Sequence, residues 1–538
     1  MNISSRILMD QPKTIVRSAV HFFSGTFLSR VTGFFREIAM AACFGTGVAI
    51  SNFLMAQRFS MLMRRLFGEG SLLAGFSPNF EARRAISFEE GAKFFRDLTA
   101  SLSLSLIGII ALVEGVLWAF IATGALSQET KEILYLTMTM LPGVFFICLY
   151  ALFSAFLQSE RKYFVSSASP LMYNVMFLVA IWWVKDWISQ AAMEGLAIAV
   201  VVAFFCQFLM VVPGVLRLLK PYLSWRQWLK PELFSLQFIQ MVKGIVYTVI
   251  GVGAVQINTA FDTLFAHSAS LSGPAYLNYA IRLYHLPLSL FGIALASALL
   301  PPLSRALQGE KVAEYVKLLH FALSKSFSLI FPCSVGILVL GASAVNLIFG
   351  HGLFDAHSTR ETAVCLWAYG IGLMPAVLVL LLSPAFYAQK DFITPLKASL
   401  VSVVLSLVLN SILVFSCGLG SFSIALATSV AAFVNYKFLS YQLKKKVGSI
   451  FDEKTKRASY KVVICSCLAG IVTLFLGHYL LGDSTLKMCL NLSGVEFPRE
   501  IFQQCVQFFS LGILFAGFLF LFAKLLKAEG ILTLLKRL

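Results

Sequence analysis

Residues 192–217 read AMEGLAIAVVVAFFCQFLMVVPGVLR, and residues 195–216 within this stretch carry no charged side chain. Because a helix rises about 1.5 Å per residue, about twenty apolar residues cross a hydrocarbon layer about 30 Å thick. Similar stretches recur along all 538 residues, of which 58% are hydrophobic and 13% charged. Soluble proteins carry about 25% charged residues. The pattern therefore predicts an all-α integral membrane protein.

We expect about 14 transmembrane helices. Their predicted spans are 17–44, 47–78, 91–121, 131–158, 162–185, 192–217, 234–266, 273–301, 314–339, 360–387, 391–416, 421–446, 458–482 and 500–527. Prolines, tryptophans and basic residues alternate in the segment 221–233, which predicts an amphipathic linker on the cytoplasmic surface. The linker would separate an N-terminal lobe of six helices (1–220) from a C-terminal lobe of six (234–447). Residues 448–538 would add two C-terminal helices.

The two lobes resemble each other in sequence. Residues 56–78 align with 280–302 at a constant offset, and an Ala-Phe pair ending at Phe156 returns at Phe386 with polar residues after it. An even number of helices separates the matched segments, so they cross the membrane in the same direction. The alternative is chance similarity between apolar segments. If the repeat is real, it predicts pseudo-two-fold symmetry about the membrane normal, with a site between the lobes.

The net charge of +17 is distributed unevenly between the connectors. Connectors rich in Lys and Arg alternate with poor ones; residues 437–461 contain eight such side chains, whereas 483–499 contain two. This alternation is the positive-inside pattern, and it predicts that both termini lie in the cytoplasm. The charge therefore orients the protein, and we expect no nucleic-acid partner. The ten cysteines have no metal-type spacing.

Arginines inside the predicted spans are the strongest functional signal. They are Arg30, Arg36, Arg58, Arg64, Arg65 and Arg282. A charge at the centre of a bilayer costs at least about 2.5–3.5 kcal/mol unless it has a partner or faces a cavity. The acids available at membrane depth are few, chiefly Glu37, Glu69, Glu114 and Asp262. Some of the arginines are therefore expected to lack an internal counter-charge. The alternatives are internal salt bridges and, for Arg64 or Arg65, snorkelling to the membrane surface.

The spacing of these arginines predicts where their side chains point. Arg30, Gly33 and Arg36 follow one another at intervals of three residues in a row that drifts through about 120° of helix surface, and the glycine permits a bend or a close approach. Arg58 and Arg65 are seven residues apart and lie on one stripe of the helix, which also includes Glu69. Guanidinium groups bind phosphate through two parallel hydrogen bonds and do not deprotonate. The pattern predicts a binding site for a lipid-linked diphosphate.

Several motifs resemble a known family. They are LSRVTGFFRE at 28–37, FGTG at 44–47, RRLFGEG at 64–70, YAIRL at 279–283, LLPPLS at 299–304 and AFYAQKD at 385–391. These motifs are similar to those of the MurJ (MviN) family of lipid II flippases. The resemblance implies the fold of the MOP exporters, with the two C-terminal helices forming a groove for the polyprenyl tail. It also implies a monomer in the bacterial inner membrane, surrounded by membrane lipids, that moves lipid II outward by alternating access for peptidoglycan synthesis.

The resemblance also implies roles for single residues. Arginines matching Arg30, Arg36, Arg65 and Arg282 line the central cavity in the family, and Glu69 matches an acid that orients Arg65. Some relatives couple transport to sodium, and the corresponding candidates here are Asp262, Asn410 and Thr428, whose oxygen atoms suit a hard cation. A lone buried aspartate could equally pair with an arginine or take up a proton. Two family acids are replaced, at Ser51-Asn52 and at Ile281.

Two other functions are alternatives to lipid II transport. The first is an exporter of another polyprenyl-pyrophosphate-linked saccharide, which the same arginines would serve. The second is a membrane-embedded glycosyltransferase, which requires catalytic carboxylates and usually a large outer domain. The longest outer connectors have only about twenty residues, and no nucleotide-binding motif is present. We therefore expect a transporter with no catalytic residues and no cofactor other than a coupling ion.

Overall fold

A computed structural model describes residues 12–67, 71–235, 238, 239, 256, 258–308, 312–448, 452–490 and 494–535. All regular secondary structure within these ranges is helical, as the hydropathy pattern predicts. The helices of the first half are α1 (Pro12–Phe44), α2 (Val48–Phe67), α3 (Ser71–Ile86), α4 (Phe88–Ala122), α5 (Gln128–Met140), α6 (Pro142–Ser159), α7 (Tyr163–Val184), α8 (Ser189–Leu219) and the short α9 (Trp225–Trp228).

The second half continues with α10 (258–269) and then with a π-helical turn at Leu288–Ile293 between α11 and α12 and another at Ile412–Ser416 after α15. The remaining helices are α11 (Gly273–Pro287), α12 (Ala294–Gln308), α13 (Val312–Phe349), α14 (Ala356–Ala388), α15 (Ile393–Ser411), α16 (Phe422–Val447), α17 (Glu453–Leu481), α18 (Thr485–Cys489), α19 (Ile501–Leu525) and α20 (Glu529–Leu535).

Within the described ranges, 11 helices are long and apolar enough to cross a membrane. They correspond to the third to sixth and the eighth to fourteenth predicted spans, so the membrane class is confirmed and the count of 14 is not. The spans 17–44 and 47–78 lie on α1 and on α2 with α3, where polar and charged side chains lower the hydropathy. The span 234–266 lies mostly outside the described residues. Pro142 begins a new helix within the predicted span 131–158.

The chain divides into two compact units. The first takes in Met1–Cys43 and Asn52–Ala260, and the second takes in Phe44–Ser51 and Phe261–Leu538. In the first unit α8 packs against α5, α6 and α7, and α3 packs against α4 and α6. Its core is built from interlocking phenylalanine rings with almost no exposed surface. These include Phe76, Phe80, Phe95, Phe153 and Phe156. This dense aromatic packing holds α3, α4, α6 and α8 together.

The amphipathic segment 221–233 is fastened to α4 of the first unit. Arg96 donates through Nη1 to the carbonyl oxygen of Gln227 at 3.0 Å, and the backbone N–H of Glu232 donates to Asp97 Oδ1 at 2.9 Å. These bonds fix the backbone of the segment at two points. The segment therefore belongs structurally to the first unit, whose boundary falls some thirty residues later than the predicted linker. The lobe boundaries at residues 220 and 234 stay a prediction.

The second unit is organised around α14, which packs against α11, α12, α13 and α16. Both C-terminal membrane helices, α17 and α19, pack against α13. Their contacts with α13 are apolar and include Val335, Val339, Ala469 and Phe515. The two helices that the sequence pattern predicts as an addition to the repeat are therefore part of the second compact unit.

The FGTG turn after α1 also belongs to the second unit. Gly45 has a φ of +60°, and a Cβ atom on it would lie 2.6 Å from the carbonyl oxygen of Leu353. The Tyr279 hydroxyl donates to the carbonyl oxygen of Gly45 at 3.3 Å, and the hydroxyls of Thr46 and Ser358 share a hydrogen bond of 2.7 Å. Only glycine satisfies both the positive φ and the close approach, which explains this part of the motif.

The second sequence echo is reproduced in the local geometry of two turns. Arg161, between α6 and α7, has a φ of +59°, and Lys390, between α14 and α15, has a φ of +58°. The residue that follows each of them, Lys162 or Asp391, donates its N–H to the carbonyl oxygen five residues earlier, that of Leu157 or of Phe386. In the two turns Leu157 therefore corresponds to Phe386, whereas the sequence alignment matches Phe156 with Phe386. This likeness supports a repeat and corrects its register.

The side chain of Asp391 stabilises the second of these turns, between α14 and α15. Its Oδ1 accepts from the N–H of Thr394 at 3.0 Å, and its Oδ2 accepts from Lys446 Nζ at 2.5 Å. Burial raises the pKa of Asp391, but hydrogen bonds from Lys446 and Thr394 outweigh it and bring the pKa to about 2. Because the folded pKa is depressed, this stabilisation is present above about pH 4 and is lost as the pH falls toward 2.

We expect Asp391→Ala to lower the free energy of unfolding by about 1 kcal/mol, since the backbone N–H of Thr394 in the first turn of α15 loses its acceptor. Lys446→Ala should have a smaller effect because the Lys446 side chain is 42% exposed and the bond from Thr394 remains. Thermal unfolding of the purified variants at neutral pH measures both changes. Asp452→Ala, which removes the N-cap of α17, serves as the matched control. A larger loss for Lys446→Ala than for Asp391→Ala would contradict the assignment.

Candidate functional site

Arg36 is the best-defined arginine of the predicted site, and it has an internal partner. It donates through Nη2 to Glu37 Oε1 at 2.6 Å and through Nη1 to Asn174 Oδ1 at 3.0 Å. Its guanidinium carbon lies 5.3 Å from the ring centre of Tyr173 and 5.6 Å from that of Phe177. Arg36 is therefore a clamped cation with a neutralising acid, and it does not belong to a surplus of unpaired charge.

Asn174 is a site residue that the sequence reasoning missed. Its Nδ2 donates to the carbonyl oxygen of Ser29 at 2.8 Å and to Thr32 Oγ1 at 3.2 Å, so one amide on α7 bridges two turns of α1. The signal in the sequence was an amide inside an apolar span, where an unpaired polar group is costly. Asn174 orients Arg36 and joins α1 to α7.

Gly33 allows this bridge to form. The helix α1 is continuous through Gly33, and of the two roles that the sequence permits, a bend or a close approach, the structure shows the close approach. A Cβ atom at Gly33 would lie 3.4 Å from Asn174 Nδ2. The contact is tighter two turns earlier, where a Cβ atom at Gly25 would lie 2.9 Å from the backbone nitrogen of Ala168. Gly33 therefore has a packing role beside Arg36.

Arg30 differs from Arg36 in its surroundings. Its side chain is exposed, and within the described part of the chain it makes no hydrogen bond or ion pair. Only six residues separate it from Arg36 along the continuous helix α1. A membrane-depth cation with this environment requires either a water-filled cavity or an anionic ligand. Arg30 is thus the arginine of this helix that is available to a ligand.

Arg58 lies at a narrow cleft within the first unit. The other residues that line the cleft are Met61, Leu62, Gln256, Thr259 and Ala260. The cleft has a volume of about 10 Å³, enough for one water molecule and too small for a diphosphate. Arg58 is half-buried and has interactions of its own in this conformation. Its predicted role in binding would require the cleft to widen.

The remaining predicted site residues are distributed as follows. Arg282 is exposed on α11 of the second unit. Arg65 lies on α2, but its side chain is outside the described part of the structure, and Glu69 is also outside it. Arg30 and Arg36 therefore lie on the same helix, six positions apart, which is about 9 Å along the axis of α1 and about 120° around it. The relation of the other arginines to these two stays a prediction.

The replacement of a family acid at Ser51-Asn52 is accompanied by a carboxylate from another helix. Asn52 is fully buried, and its Nδ2 donates to Glu132 Oε2 on α5 at 3.1 Å. The structure therefore supplies an acid next to this position within the first unit. The second replacement, Ile281, is half-buried beside Arg282 on α11.

Two of the three candidate sodium ligands lie side by side. Asn410 donates through Nδ2 to Asp262 Oδ1 at 2.8 Å and is fully buried, and its own Oδ1 has no hydrogen-bond partner. The hydroxyl of Thr428 donates to the carbonyl oxygen of Ile424 in its own helix. A carboxylate beside an unsatisfied amide oxygen is a donor set that fits a small hard cation. In the described ranges no group of three His, Cys, Asp or Glu side chains could hold a metal ion.

Comparison with known proteins gives the family. A model of the family "Lipid II flippase MurJ" matches residues 40–493. The probable lipid II flippase MurJ of Chlamydia pneumoniae is 32% identical over 534 residues, which cover 98% of this chain and 95% of that protein. Its counterpart in Chlamydia trachomatis serovar D is 29% identical over 532 residues, covering 98% and 97%.

Solved structures agree on the fold. A structure of lipid II flippase MurJ in an inward closed conformation superposes with a TM-score of 0.73 at 22% identity, covering 94% of this chain and 99% of that one. An inward-facing multidrug transporter of the MATE family, from the MOP superfamily, gives a TM-score of 0.64 at 14% identity, covering 80% and 98%. The family match and the relative above 30% identity each extend over most of the chain. This multi-pass membrane protein, with the helical fold of the MOP transporters, therefore belongs to the MurJ family of lipid II flippases.

Proposed function

We propose that this protein moves lipid II from the cytoplasmic to the outer leaflet of a bacterial inner membrane by alternating access. The observation that carries this proposal is the pair of arginines on α1. Arg36 is fixed by Glu37 and Asn174, whereas Arg30 is exposed and available on the same helix. A fixed cation and an available one on the same helix suit a ligand with two phosphate groups, because guanidinium binds phosphate with directed, charge-assisted hydrogen bonds.

The driving force follows from the charge of the ligand. A diphosphate that leaves a negative cell interior gains about 2.3 kcal/mol per elementary charge at a potential of 100 mV. The positive-inside pattern supports a cytoplasmic location for both termini. The connectors rich in Lys and Arg then lie on the side of the membrane where lipid II is made. In this account the protein performs no covalent chemistry, acts as a monomer and binds no nucleic acid.

The function is tested by measuring outer-leaflet lipid II in cells depleted of the protein and complemented with variants. The parent chain should restore externalisation, and so should Arg457→Ala, which removes an exposed arginine outside the site. Proteoliposomes that contain either lipid II or another polyprenyl-pyrophosphate-linked saccharide then separate the two candidate substrates. Equal or faster transport of the other saccharide would favour the alternative exporter.

Sodium is proposed as the coupling ion, with Asp262 and Asn410 as its ligands and Thr428 as a third candidate. The support is the buried Asp262–Asn410 pair and the unsatisfied Oδ1 of Asn410. When bound, the ion would supply positive charge beside the carboxylate. The residues themselves hold the two helices α10 and α15 in contact, so occupancy would be linked to the position of these helices.

Asp262→Asn should abolish the sodium dependence of transport, because it removes the charge while an oxygen remains to accept from Asn410. Lipid II flipping by proteoliposomes in a sodium gradient, compared with an equal potassium gradient, measures this dependence. The control is Asp186→Asn, which removes an exposed aspartate elsewhere. Parent protein that flips equally well in both gradients would refute the proposed coupling without affecting the lipid II assignment.

A further inference from the structure

A cavity lies where α17 ends and α19 begins, within the second unit. It has a volume of about 440 Å³, which is within the range of pockets that hold small organic groups. Its lining residues are Leu481, Gly482, Glu496, Phe497, Pro498, Phe502, Gln503, Val506 and Gln507. The charge pattern places this end of both helices on the outer side of the membrane. None of the residues discussed for transport lines this cavity.

Two glutamines in the cavity lining donate to acids through their amide nitrogen atoms. Gln507 donates its amide Nε2 to Asp483 Oδ1 at 3.1 Å, and Gln503 donates its Nε2 to Glu500 Oε2 at 3.0 Å. Because a carboxylate accepts hydrogen bonds, these contacts fix which end of each amide is the NH₂ group. The carbonyl oxygens of Gln503 and Gln507 are therefore the ends directed away from the two acids.

Asp483 holds Gln507, one of the lining residues of the cavity, in position. It is 1% exposed and also accepts from the hydroxyl of Ser343 at 2.9 Å and from the N–H of Thr485 at 3.1 Å. These bonds lock the carboxylate that holds Gln507. The orientation of the Gln507 amide is thus set by a buried network that spans α13, the turn after α17, and α19.

The remaining polar features also favour a cation or a hydrogen-bond donor. Glu496 supplies a carboxylate, and its backbone is already bonded to the hydroxyl of Ser484 through both its N–H and its carbonyl oxygen. The cavity also meets the C-terminus of α17 at Leu481, where the helix dipole is negative. Among the residues that the structure describes, the lining contains no lysine, arginine or histidine. Acceptors without a balancing donor reject a phosphate and attract a positively charged donor.

The apolar surroundings indicate where such a ligand comes from. Phe502, Val506, Phe509 and Ile513 are exposed on α19 at spacings of four, three and four residues, so they form one stripe that leads from the cavity along the membrane-spanning helix. Exposed phenylalanine and isoleucine in a membrane span face acyl chains. A ligand with an ammonium group in the cavity and acyl chains along this stripe would satisfy both surfaces.

We propose that this cavity binds the primary ammonium head group of a phospholipid, phosphatidylethanolamine, from the outer leaflet. The three N–H donors of the ammonium match the carboxylate of Glu496 and the two oriented amide oxygens of Gln503 and Gln507. A quaternary ammonium has no N–H to satisfy these oxygens. A divalent cation needs several carboxylates at once, and among the described residues only one lines the cavity. The site lies on the two helices expected to hold the polyprenyl tail, but its ligand is a cation, whereas the arginine site binds an anion.

The test measures lipid retention by the purified full-length protein with native mass spectrometry and thermal unfolding. Phosphatidylethanolamine, phosphatidylglycerol and phosphatidylcholine with identical acyl chains are added separately. The parent should retain phosphatidylethanolamine most strongly. Glu496→Gln should weaken this binding by about fivefold to tenfold, the effect of losing one charge-assisted hydrogen bond. Glu453→Gln, which removes an exposed glutamate at the opposite end of α17, should leave it unchanged.

A charge reversal provides the second arm. Glu496→Lys places a cation in the cavity, so the preference should change from phosphatidylethanolamine to phosphatidylglycerol. Because Glu496 is exposed, both variants should fold. Equal retention of all three lipids by the parent would mean annular lipid only and would overturn the proposal. Retention of phosphatidylethanolamine that is unaltered in both Glu496 variants would overturn it as well.

Discussion

Arg36→Ala should abolish lipid II externalisation and also lower the stability of the first unit. The substitution leaves Glu37, which is 3% exposed, as a buried acid without its 2.6 Å partner, and it removes the donor to Asn174. Loss of one member of a buried ion pair costs about 3–5 kcal/mol, because the other charge stays desolvated. Thermal unfolding of the purified variant and lipid II assays in complemented cells measure the two effects separately.

Conservative variants distinguish the two roles of Arg36. Arg36→Lys keeps a positive charge near Glu37 but loses the planar fork that reaches Glu37 and Asn174 together. It should regain much of the stability and little of the transport. Asn174→Leu should lower transport as well, because Arg36 then loses one of its two hydrogen-bond acceptors. Full transport by Arg36→Lys would show that charge alone is sufficient and would contradict the role of directed hydrogen bonds.

Arg30→Ala is expected to reduce lipid II transport strongly, as Arg36→Ala does, but without any loss of stability. Arg30 is exposed and has no hydrogen bond or ion pair with another residue in the described ranges, so its removal leaves no partner unsatisfied. If Arg30 makes two charge-assisted hydrogen bonds to a phosphate, of about 1.5 kcal/mol each, the loss is about a hundredfold. Transport is measured with lipid II in proteoliposomes, and stability by thermal unfolding.

Arg457→Ala is the matched control for Arg30→Ala, since it also removes an exposed arginine. It should leave transport and unfolding temperature at the parent values. A drop in unfolding temperature for Arg30→Ala, together with reduced transport, would mean that Arg30 supports the fold. Unchanged transport would remove Arg30 from the binding site altogether.

The fold could be predicted from the sequence because a bilayer allows few solutions. A backbone in hydrocarbon must satisfy its own hydrogen bonds, so apolar stretches of sufficient length become helices. Membrane spans were harder to predict at α1 and α2, because the arginines of the proposed site reduce the hydropathy on which span prediction depends. The one-residue error in the repeat arose because a sequence match between Phe156 and Phe386 cannot reveal which carbonyl closes each turn.

The site could be predicted less completely than the fold. The sequence identified Arg30 and Arg36 as a pair at membrane depth, and both lie on the continuous helix α1. It could not predict that Arg36 pairs with the adjacent Glu37, because neighbouring residues on a helix normally point in different directions. Nor could it predict the contact with Asn174, which lies 138 residues away and depends on the packing of α7 against α1.

The difference between Arg30 and Arg36 has a consequence for the transport cycle. In the proposed function, Arg36 is already paired with Glu37 and keeps its position when no ligand is bound, whereas Arg30 would gain a partner when the ligand arrives. Binding would then neutralise the available charge and leave the clamped one in place. This arrangement keeps part of the site organised before the ligand binds, which lowers the entropic cost of recognition.

The most direct test of the central claim compares the binding of undecaprenyl diphosphate, undecaprenyl monophosphate and undecaprenol to the purified protein. If arginines recognise the diphosphate, the parent chain should bind undecaprenyl diphosphate most tightly, and the combined Arg30→Ala and Arg282→Ala variant, in which Arg36 remains, should lose most of this preference. A combined variant that folds and still prefers the diphosphate to the same extent as the parent would contradict the account.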